Sequence, residues 1–178
     1  MSRAREAHVG APRALIQRLT LADEAVLAAV DEMARTSFSE ASFSAAEELS
    51  RPWARLWAAR FADEAPPVGY LVGWHVADEL HVLNVATVPE VRRRGVGRAL
   101  MEEAIAYAAS ERARIVLLEV RRSNRPAIKL YRAFGFTALG VRPSYYADND
   151  EDAIEMILGL DPDTGRALPG HDEIRIDG

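Results

Sequence analysis

The sequence contains no cysteine, and this absence excludes several kinds of chemistry at once. A chain without thiols forms no disulfide and no thiolate metal site, and it carries no thiol nucleophile. Histidine is also scarce, and its positions show none of the spacings that bind metals. The histidines are scattered at His8, His75, His81 and His171. We therefore expect no metal, and any group transfer has to proceed without a cysteine-bound intermediate.

Long hydrophobic runs are absent too, and no apolar stretch approaches the roughly 20 residues that span a membrane. The N-terminus has no apolar segment behind it and does not resemble a signal peptide. A net charge of −5 gives the whole molecule a field that disfavours nucleic acid. We expect a cytoplasmic monomer or weak dimer that acts neither on nucleic acid directly nor at a membrane.

The 178 residues suffice for one domain with a substantial core, and the 49% hydrophobic share is ordinary for a globular protein. Residues 1–12 are small and polar, and we expect them to be flexible. Residues 13–160 carry the regular apolar patterns and form the domain. Residues 161–178 are polar and contain Pro and Gly, which predicts a disordered C-terminal tail.

The most informative stretch is a basic turn with two glycines, Arg92-Arg93-Arg94-Gly95-Val96-Gly97. A hydrophobic run over 80–88 precedes this turn, and apolar residues at helical spacing follow it. Glycine lets the backbone approach a ligand, and the free N–H groups of a helix N-terminus bind anions. Arginines add charge and donors that suit phosphate oxygens. The turn predicts a phosphate site, although an ordinary strand-to-helix connection would show the same spacing.

Apolar and turn residues along the chain predict an α/β (α+β) protein with one mixed sheet. An antiparallel meander leads into the basic turn, and a helix then crosses to a central parallel strand. One segment, 53–61, is ambiguous, because its alanines favour a helix while its position favours the first arm of a hairpin. We predict strands at 13–19, 53–61, 68–76, 80–88, 114–120, 137–142 and 153–158.

Glu119 is anomalous, because it lies in Ile115-Val-Leu-Leu-Glu-Val, a run that predicts a strand buried on both faces. A buried carboxylate is costly unless it is paired or protonated. It could instead lie at the solvent end of its strand, or pair with Arg121 or Arg122. Ligands of open α/β sheets bind beyond the carboxyl ends of strands, so Glu119 and the basic turn could face one cleft.

Two residues of the next helix could face the same cleft. Tyr131 has apolar neighbours, which is typical of a core residue, but a buried tyrosine hydroxyl still needs a partner. Asn124 precedes the helix and could cap it. Its amide could also contact a ligand bound in the cleft.

The turn resembles the acetyl-CoA signature of the GNAT N-acetyltransferases, Q/R-x-x-G-x-G/A, and matches neither a Walker loop nor a Rossmann fingerprint. Within that superfamily, residues 80–160 resemble the RimI-like enzymes, which acetylate the N-terminal alanine of a small-subunit ribosomal protein. The matching motifs are Leu118-Glu-Val-Arg-Arg-Ser-Asn, Ala127-Ile-Lys-Leu-Tyr-Arg-Ala-Phe-Gly-Phe, Arg142-Pro-Ser-Tyr-Tyr and Glu151-Asp-Ala-Ile-Glu-Met.

The resemblance implies the GNAT fold, with a mixed central sheet of about six or seven strands and about four helices on both faces. It implies an acetyl-CoA-dependent N-α-acetyltransferase in which the acceptor amine attacks the thioester directly. The acceptor would be the N-terminal residue, alanine above all, of a protein such as a ribosomal protein. Acetyl-CoA would be the co-substrate, with no metal.

The resemblance also implies a role for individual residues. Glu119 would be the general base and Tyr131 the general acid, while Tyr145 and Tyr146 would border the acceptor peptide. Residues 85–87 would pair with the pantetheine arm, and the turn would hold the pyrophosphate. The cofactor-binding set is Val85, Ala86, Thr87, Arg93, Arg94, Gly95, Val96, Gly97, Arg98 and Asn124.

Two alternative functions remain open at this point. The protein could acetylate a small-molecule amine, since members of the superfamily share the cofactor site and differ in their acceptor loops. It could also be a non-catalytic acyl-CoA-binding module, although the presence of both Glu119 and Tyr131 argues against that function.

Overall fold

The structure is a computed structural model that describes residues 13–37 and 43–176. The expected flexible N-terminus, residues 1–12, lies outside the described residues. The strands are β1 (Leu15–Arg18), β2 (Ala54–Arg60), β3 (Gly69–Val76), β4 (Glu79–Thr87), β5 (Ile115–Arg121), β6 (Thr137–Tyr146) and β7 (Glu151–Gly159). The helices are α1 (Glu24–Ser37), α2 (Ala45–Leu49), α3 (Val96–Ser110) and α4 (Arg125–Arg132).

The strands form one seven-stranded mixed sheet in the order β1-β2-β3-β4-β5-β7-β6. Strands β1 to β4 are an antiparallel meander, and β4 pairs with β5 in parallel. Helix α3 supplies the crossover that a parallel pair requires. The predicted mixed sheet is confirmed, and the ambiguous segment 53–61 forms strand β2 as expected.

Helices cover the two faces of the sheet unequally. On one face, α3 and α4 pack over β2 to β5 and β7, around residues such as Trp57, Leu100 and Met156. On the other face, α1 and α2 pack only over β2, β3 and β4, around residues such as Leu56 and Tyr70. The half of that second face formed by β5 and β7 is therefore left partly exposed.

This unequal cover corrects the expectation that β5 is buried on both faces. Its residues alternate, with Val116, Leu118 and Val120 buried against the α3 side. Glu119 points to the partly exposed face, where a carboxylate meets both solvent and charged neighbours. Its position in an apolar run therefore does not imply full burial.

A bulge in β4 opens the sheet at its centre. The β3–β4 register shifts after Val82 and leaves Leu83 without a partner on β3. A bulge bends its strand and increases the local twist. The parallel pairing of β4 with β5 ends at the same place, with Val82 opposite Leu118. Beyond that pair β4 follows β3 and β5 follows β7, so the two central strands separate.

The C-terminal segment also differs from expectation, because the structure places residues 161–176 against the domain. The Asp161 carboxylate accepts hydrogen bonds from the backbone N–H groups of Asp163 and Thr164, at 2.9 Å each. This turn reverses the chain, and Leu168 then donates its N–H to the Gly159 carbonyl. Polar composition predicted disorder here, but turn-forming residues and two isoleucines that pack on the core supply order.

Gly69 is the first residue of β3 and packs closely against β4 and the start of α3, so a larger residue there should reduce stability. A Cβ atom there would lie 2.9 Å from both the Ala86 carbonyl oxygen and Val96 Cγ1. We expect Gly69→Ala to lower the free energy of unfolding by about 1–3 kcal/mol, because the surrounding atoms have to move apart. Urea titration measures this loss. The control is Gly140→Ala, where the nearest atom, Glu155 Oε2, is 3.6 Å away; equal losses in the two variants would contradict the steric explanation.

Candidate functional site

A cavity of about 1120 Å³ fills the gap between the separated strands β4 and β5. Its walls come from α1, α2, β3, α4 with its N-cap residue, the end of β6 and the start of β7. The cavity brings together residues that are far apart in sequence. Those predicted from the sequence are Val85, Glu119, Asn124, Tyr131, Tyr145 and Tyr146.

Glu119 lies in the cavity wall with its side chain 25% exposed. Its Oε1 is 3.3 Å from Arg142 Nη2, and the same nitrogen donates to Glu155 Oε1 at 2.8 Å. Of the alternatives left open for Glu119, the structure shows the ion pair with an arginine, but the arginine is Arg142 rather than Arg121 or Arg122. The hydrogen bond to Glu155 and the charge of Glu119 raise the pKa of the Arg142 guanidinium. One cation thus sits between two carboxylates.

Tyr131 is both a core residue and a cavity-lining residue, the two positions that the sequence left open for it. Its side chain is only 7% exposed and packs beside Phe136, with the ring centroids 5.9 Å apart. It also lines the cavity, opposite the end of β5. Burial, with a smaller contribution from Tyr146, raises the pKa of its hydroxyl to about 12. Tyr131 is therefore protonated at neutral pH.

Tyr145 and Tyr146 lie at the end of β6, which runs four residues beyond its expected end at Arg142. The two rings meet edge to face at 5.2 Å, and Arg121 lies 3.8 Å from the centroid of the Tyr146 ring. Burial raises the pKa of Tyr146 to about 12. Tyr145 remains half-exposed at the mouth of the cavity.

Glu151, the first residue of β7, pairs with Tyr146 at the end of β6 and also binds the end of β5 and the loop that follows it. Its Oε1 accepts the backbone N–H of Ser123 at 2.7 Å, and its Oε2 lies 3.4 Å from Arg121 Nη1. Led by the hydrogen bond from Ser123, these contacts lower the pKa of the Glu151 carboxyl to about 2. The next residue along, Asn124, caps α4 by accepting the N–H of Ala127 at 3.2 Å.

The basic turn has the backbone of an anion site. Gly95 adopts φ 82° and precedes α3, and no side chain in the described ranges caps this helix. Arg93 also has a positive φ, of 65°. A Cβ atom on Gly97 would meet only Leu130 Cδ2, at 3.7 Å. Packing within the protein therefore does not require glycine at position 97, whereas close approach of a ligand would.

Aromatic rings flank the turn on both sides. Arg94 lies 4.5 Å from the centroid of Phe61, and Arg98 lies 5.0 Å from the centroid of Phe134. Phe134 follows α4, and a Cβ atom on Gly97 would lie 3.7 Å from Leu130 Cδ2 of α4, so the turn lies beside the helix that carries Tyr131. The lining of the cavity itself stops short of residues 93–98.

Of the three predicted cofactor-binding residues at the end of β4, only Val85 lines the cavity. Val85 lines it, whereas the Ala86 side chain is buried on the α1 side. Thr87 pairs with Gly69 at the end of β4.

Sequence reasoning missed the wall formed by α2 and β3. Glu48 accepts a hydrogen bond from Trp74 Nε1 and pairs with Arg51. Tyr70 is fully buried under Phe43, with ring centroids 6.0 Å apart, and its hydroxyl has no hydrogen-bond partner within the described residues. Burial raises the pKa of Tyr70. Only the spacing of Tyr70 and Val72, two residues apart in β3, could have indicated that both side chains lie on the α1 side of the sheet.

Two kinds of feature were searched for and not found within residues 13–37 and 43–176. No group of three or more acidic or histidine side chains is arranged to hold a metal ion. None of the helices in these ranges combines the length and apolar character needed to cross a membrane.

A sequence model of the acetyltransferase (GNAT) family matches residues 24–136. The chain is 42% identical over 88 residues to a putative [ribosomal protein bS18]-alanine N-acetyltransferase of Bacillus subtilis, covering 49% of this chain and 58% of that protein. It is also 42% identical over 87 residues to the [ribosomal protein bS18]-alanine N-acetyltransferase of Escherichia coli, covering 48% and 59%. The matches therefore span about three fifths of the length of these curated relatives.

The fold is similar to that of solved acetyltransferases. The crystal structure of the ribosomal-protein-S18-alanine N-acetyltransferase from Escherichia coli superposes with a TM-score of 0.69 at 26% identity. That match covers 90% of this chain and 97% of the other.

The anchored strand end beside the cavity predicts a specific pH dependence. Because the pKa of Glu151 is lowered in the folded protein, its contribution to stability is complete above its ordinary pKa of 4.5 and is lost as the pH falls towards about 2. Glu151→Gln imitates the protonated form. We expect its urea midpoint to lie below that of the wild type at pH 7, and the difference to shrink below pH 4.5. A difference that stays constant with pH would contradict this anchoring role.

Proposed function

The chain belongs to the acetyltransferase (GNAT) family, and from this premise we propose that it is an acetyl-CoA-dependent N-α-acetyltransferase. Its acceptor is the N-terminal residue of a protein in the cytoplasm, with alanine of a small-subunit ribosomal protein as the leading candidate. One observation carries the proposal: Glu119 and Tyr131 line the same cleft beyond the last β4–β5 pair. The N-terminus of α3, which no side chain of residues 13–37 and 43–176 caps, lies beside the helix that carries Tyr131. The bS18-alanine N-acetyltransferases of Escherichia coli and Bacillus subtilis support the acceptor class.

Acetyl-CoA fits the residues that the cleft offers. The first N–H groups of α3, together with Arg93, Arg94 and Arg98, supply donors for a pyrophosphate. Beyond Leu83, none of the described strands pairs with β4 on its β5 side, so the backbone of residues 85–87 can pair with the amides of a pantetheine arm. These backbone donors would also hydrogen-bond the acetyl carbonyl as charge develops on its oxygen. Asn124 borders the same space.

Glu119 is suited to remove a proton from an N-terminal amine. An α-amine has a pKa of about 7.7–8.0 and a lysine side chain about 10.4, so deprotonating lysine at neutral pH costs roughly 3 kcal/mol more. A single carboxylate, directly or through water, is adequate for the α-amine and less so for lysine. This difference favours a protein N-terminus as the acceptor.

Tyr131 is suited to assist the departing thiolate by hydrogen bonding. With its pKa at about 12, complete proton transfer to a thiolate of pKa about 8.5 is uphill by roughly 5 kcal/mol, compared with about 2 kcal/mol for an unperturbed tyrosine. The hydroxyl therefore donates a hydrogen bond throughout the reaction, and the thiolate takes its proton from solvent after release.

The first experiment measures thiol release from acetyl-CoA with defined acceptors. The panel contains peptides that begin with Ala, Ser or Met, a lysine peptide with a blocked N-terminus, and a polyamine. We expect turnover with free N-termini, fastest with alanine. The control is Gly97→Glu, which places a carboxylate at the predicted pyrophosphate site and should lose turnover while keeping its melting temperature. Turnover on the polyamine alone, or binding without turnover, would overturn the proposal.

The proposed base predicts unequal effects for the two carboxylates that share Arg142. Glu119→Gln should lower kcat/KM by about 100-fold and alter the acid limb of its pH profile, because no group remains to take the proton. Glu155→Gln perturbs the same ion-pair network without removing that group, so its rate should stay within a few-fold of the wild type. Both variants are measured by acetyl transfer to an alanine peptide between pH 5 and 9. An unchanged pH profile in Glu119→Gln would exclude the base role.

A further inference from the structure

We propose that the C-terminal segment, residues 161–176, is part of the active-site scaffold, and that Asp172 positions Tyr131 by holding Arg132. Asp172 is a positioning residue and is not among the residues that line the cavity. This inference rests on the proposed function, because it assigns Tyr131 a role in acetyl transfer. The segment lies beyond residues 24–136, which the family model matches.

Asp172 uses both carboxylate oxygens to bind the end of α4. Arg132 donates to it through both terminal nitrogens, with Nη2 to Oδ2 at 2.7 Å. Asp172 Oδ1 also accepts the backbone N–H of Ala138 at 2.9 Å, and Glu173 donates its N–H to the Ala138 carbonyl at 2.9 Å. A two-pronged arginine–carboxylate pair fixes orientation as well as distance. The tail is thereby joined to both α4 and the start of the edge strand β6.

Arg132 connects Asp172 to its neighbour Tyr131 through Phe136. The same Arg132 Nη1 that binds Asp172 donates to the Phe136 carbonyl at 3.3 Å. Phe136 donates its own N–H to the Tyr131 carbonyl at 3.2 Å, and its ring packs beside the Tyr131 ring. Arg132 therefore helps to fix the position of Phe136, and Phe136 in turn contacts both the backbone and the ring of Tyr131.

Helix α4 needs such an anchor because it is short. It has eight residues, and isolated helices of that length are marginal in water. The chain leaves it through Gly135, with φ 94°. Fastening Arg132 therefore limits how far the end of the helix, and Tyr131 with it, can shift.

The tail itself is held independently of α4, which allows it to act as a support. Asp161 donates its backbone N–H to the Arg166 carbonyl across a turn, and Leu168 donates its N–H to the Gly159 carbonyl at the end of β7. Gly165 packs so closely on α3 that a Cβ atom there would lie 2.8 Å from Ala109 Cβ. Another ion pair of the tail, Arg112 to Asp163 at 2.6 Å, lies just beyond the end of α3.

The test compares Asp172→Asn with Asp163→Asn, two neutralised carboxylates of the same tail. Asparagine at 172 keeps an acceptor for the Ala138 N–H, so the fold is retained, but it loses the charged pair with Arg132. Small misplacements of a catalytic group cost up to about 100-fold in rate, so we expect kcat of Asp172→Asn to fall about 10-fold with KM for acetyl-CoA unchanged. Asp163→Asn should keep the wild-type kcat.

A double-variant cycle identifies Tyr131 as the target. If Asp172 acts through the tyrosine hydroxyl, Asp172→Asn should not slow Tyr131→Phe any further. Effects that multiply, or equal losses in Asp163→Asn and Asp172→Asn, would overturn the proposal and assign the tail a general role in stability.

Hydrogen exchange provides a readout that does not require turnover. Amides of residues 131–136 should exchange faster in Asp172→Asn than in the wild type, and at the wild-type rate in Asp163→Asn. Unchanged exchange in Asp172→Asn would overturn the anchoring role even if the enzyme is active. Faster exchange in a protein that transfers no acetyl group would support the anchor while the proposed function fails.

Discussion

The cleft depends on one constraint in the backbone, which is the end of parallel pairing between β4 and β5 after Val82 and Leu118. The bulge at Leu83 turns β4 away, and each central strand then keeps only its outer neighbour. Backbone groups at the centre of a sheet are normally paired, so a strand left open on one side is prepared to pair with a ligand. The separation also creates room at the end of β5 for the side chain of Glu119.

The features that sequence could predict were those governed by short-range rules. Alternating apolar residues and turn chemistry locate the strands, and the Gly95–Gly97 turn marks where helix α3 begins. The partner of Glu119 could not be predicted, because it depends on register across three strands. Arg142 reaches Glu119 only because β7 lies between β6 and β5, with Glu155 directly opposite Glu119. No spacing in the sequence encodes that order.

The tail illustrates a different limit. Composition averages over a segment, and residues 161–176 are polar enough on average to predict disorder. Order there comes from a few placed contacts: the Asp161 turn, the two-pronged grip of Asp172 on Arg132, and two isoleucines on the core. Each contact needs a partner far away in sequence or a turn that composition does not register. These individual contacts therefore order the segment even though its average composition is polar.

The two candidate catalytic groups differ mainly in how the fold surrounds them. Glu119 lies on the face that α1 and α2 leave partly exposed, so water and the Arg142 cation can stabilise its charge. Tyr131 lies on the opposite face, packed in the core against Phe136, where burial disfavours its charged form. One sheet thus presents an ionisable carboxylate and a hydroxyl that stays neutral to the same cavity. The unequal cover by helices therefore leaves the Glu119 side chain open to water and to Arg142, while it keeps the Tyr131 hydroxyl buried and neutral.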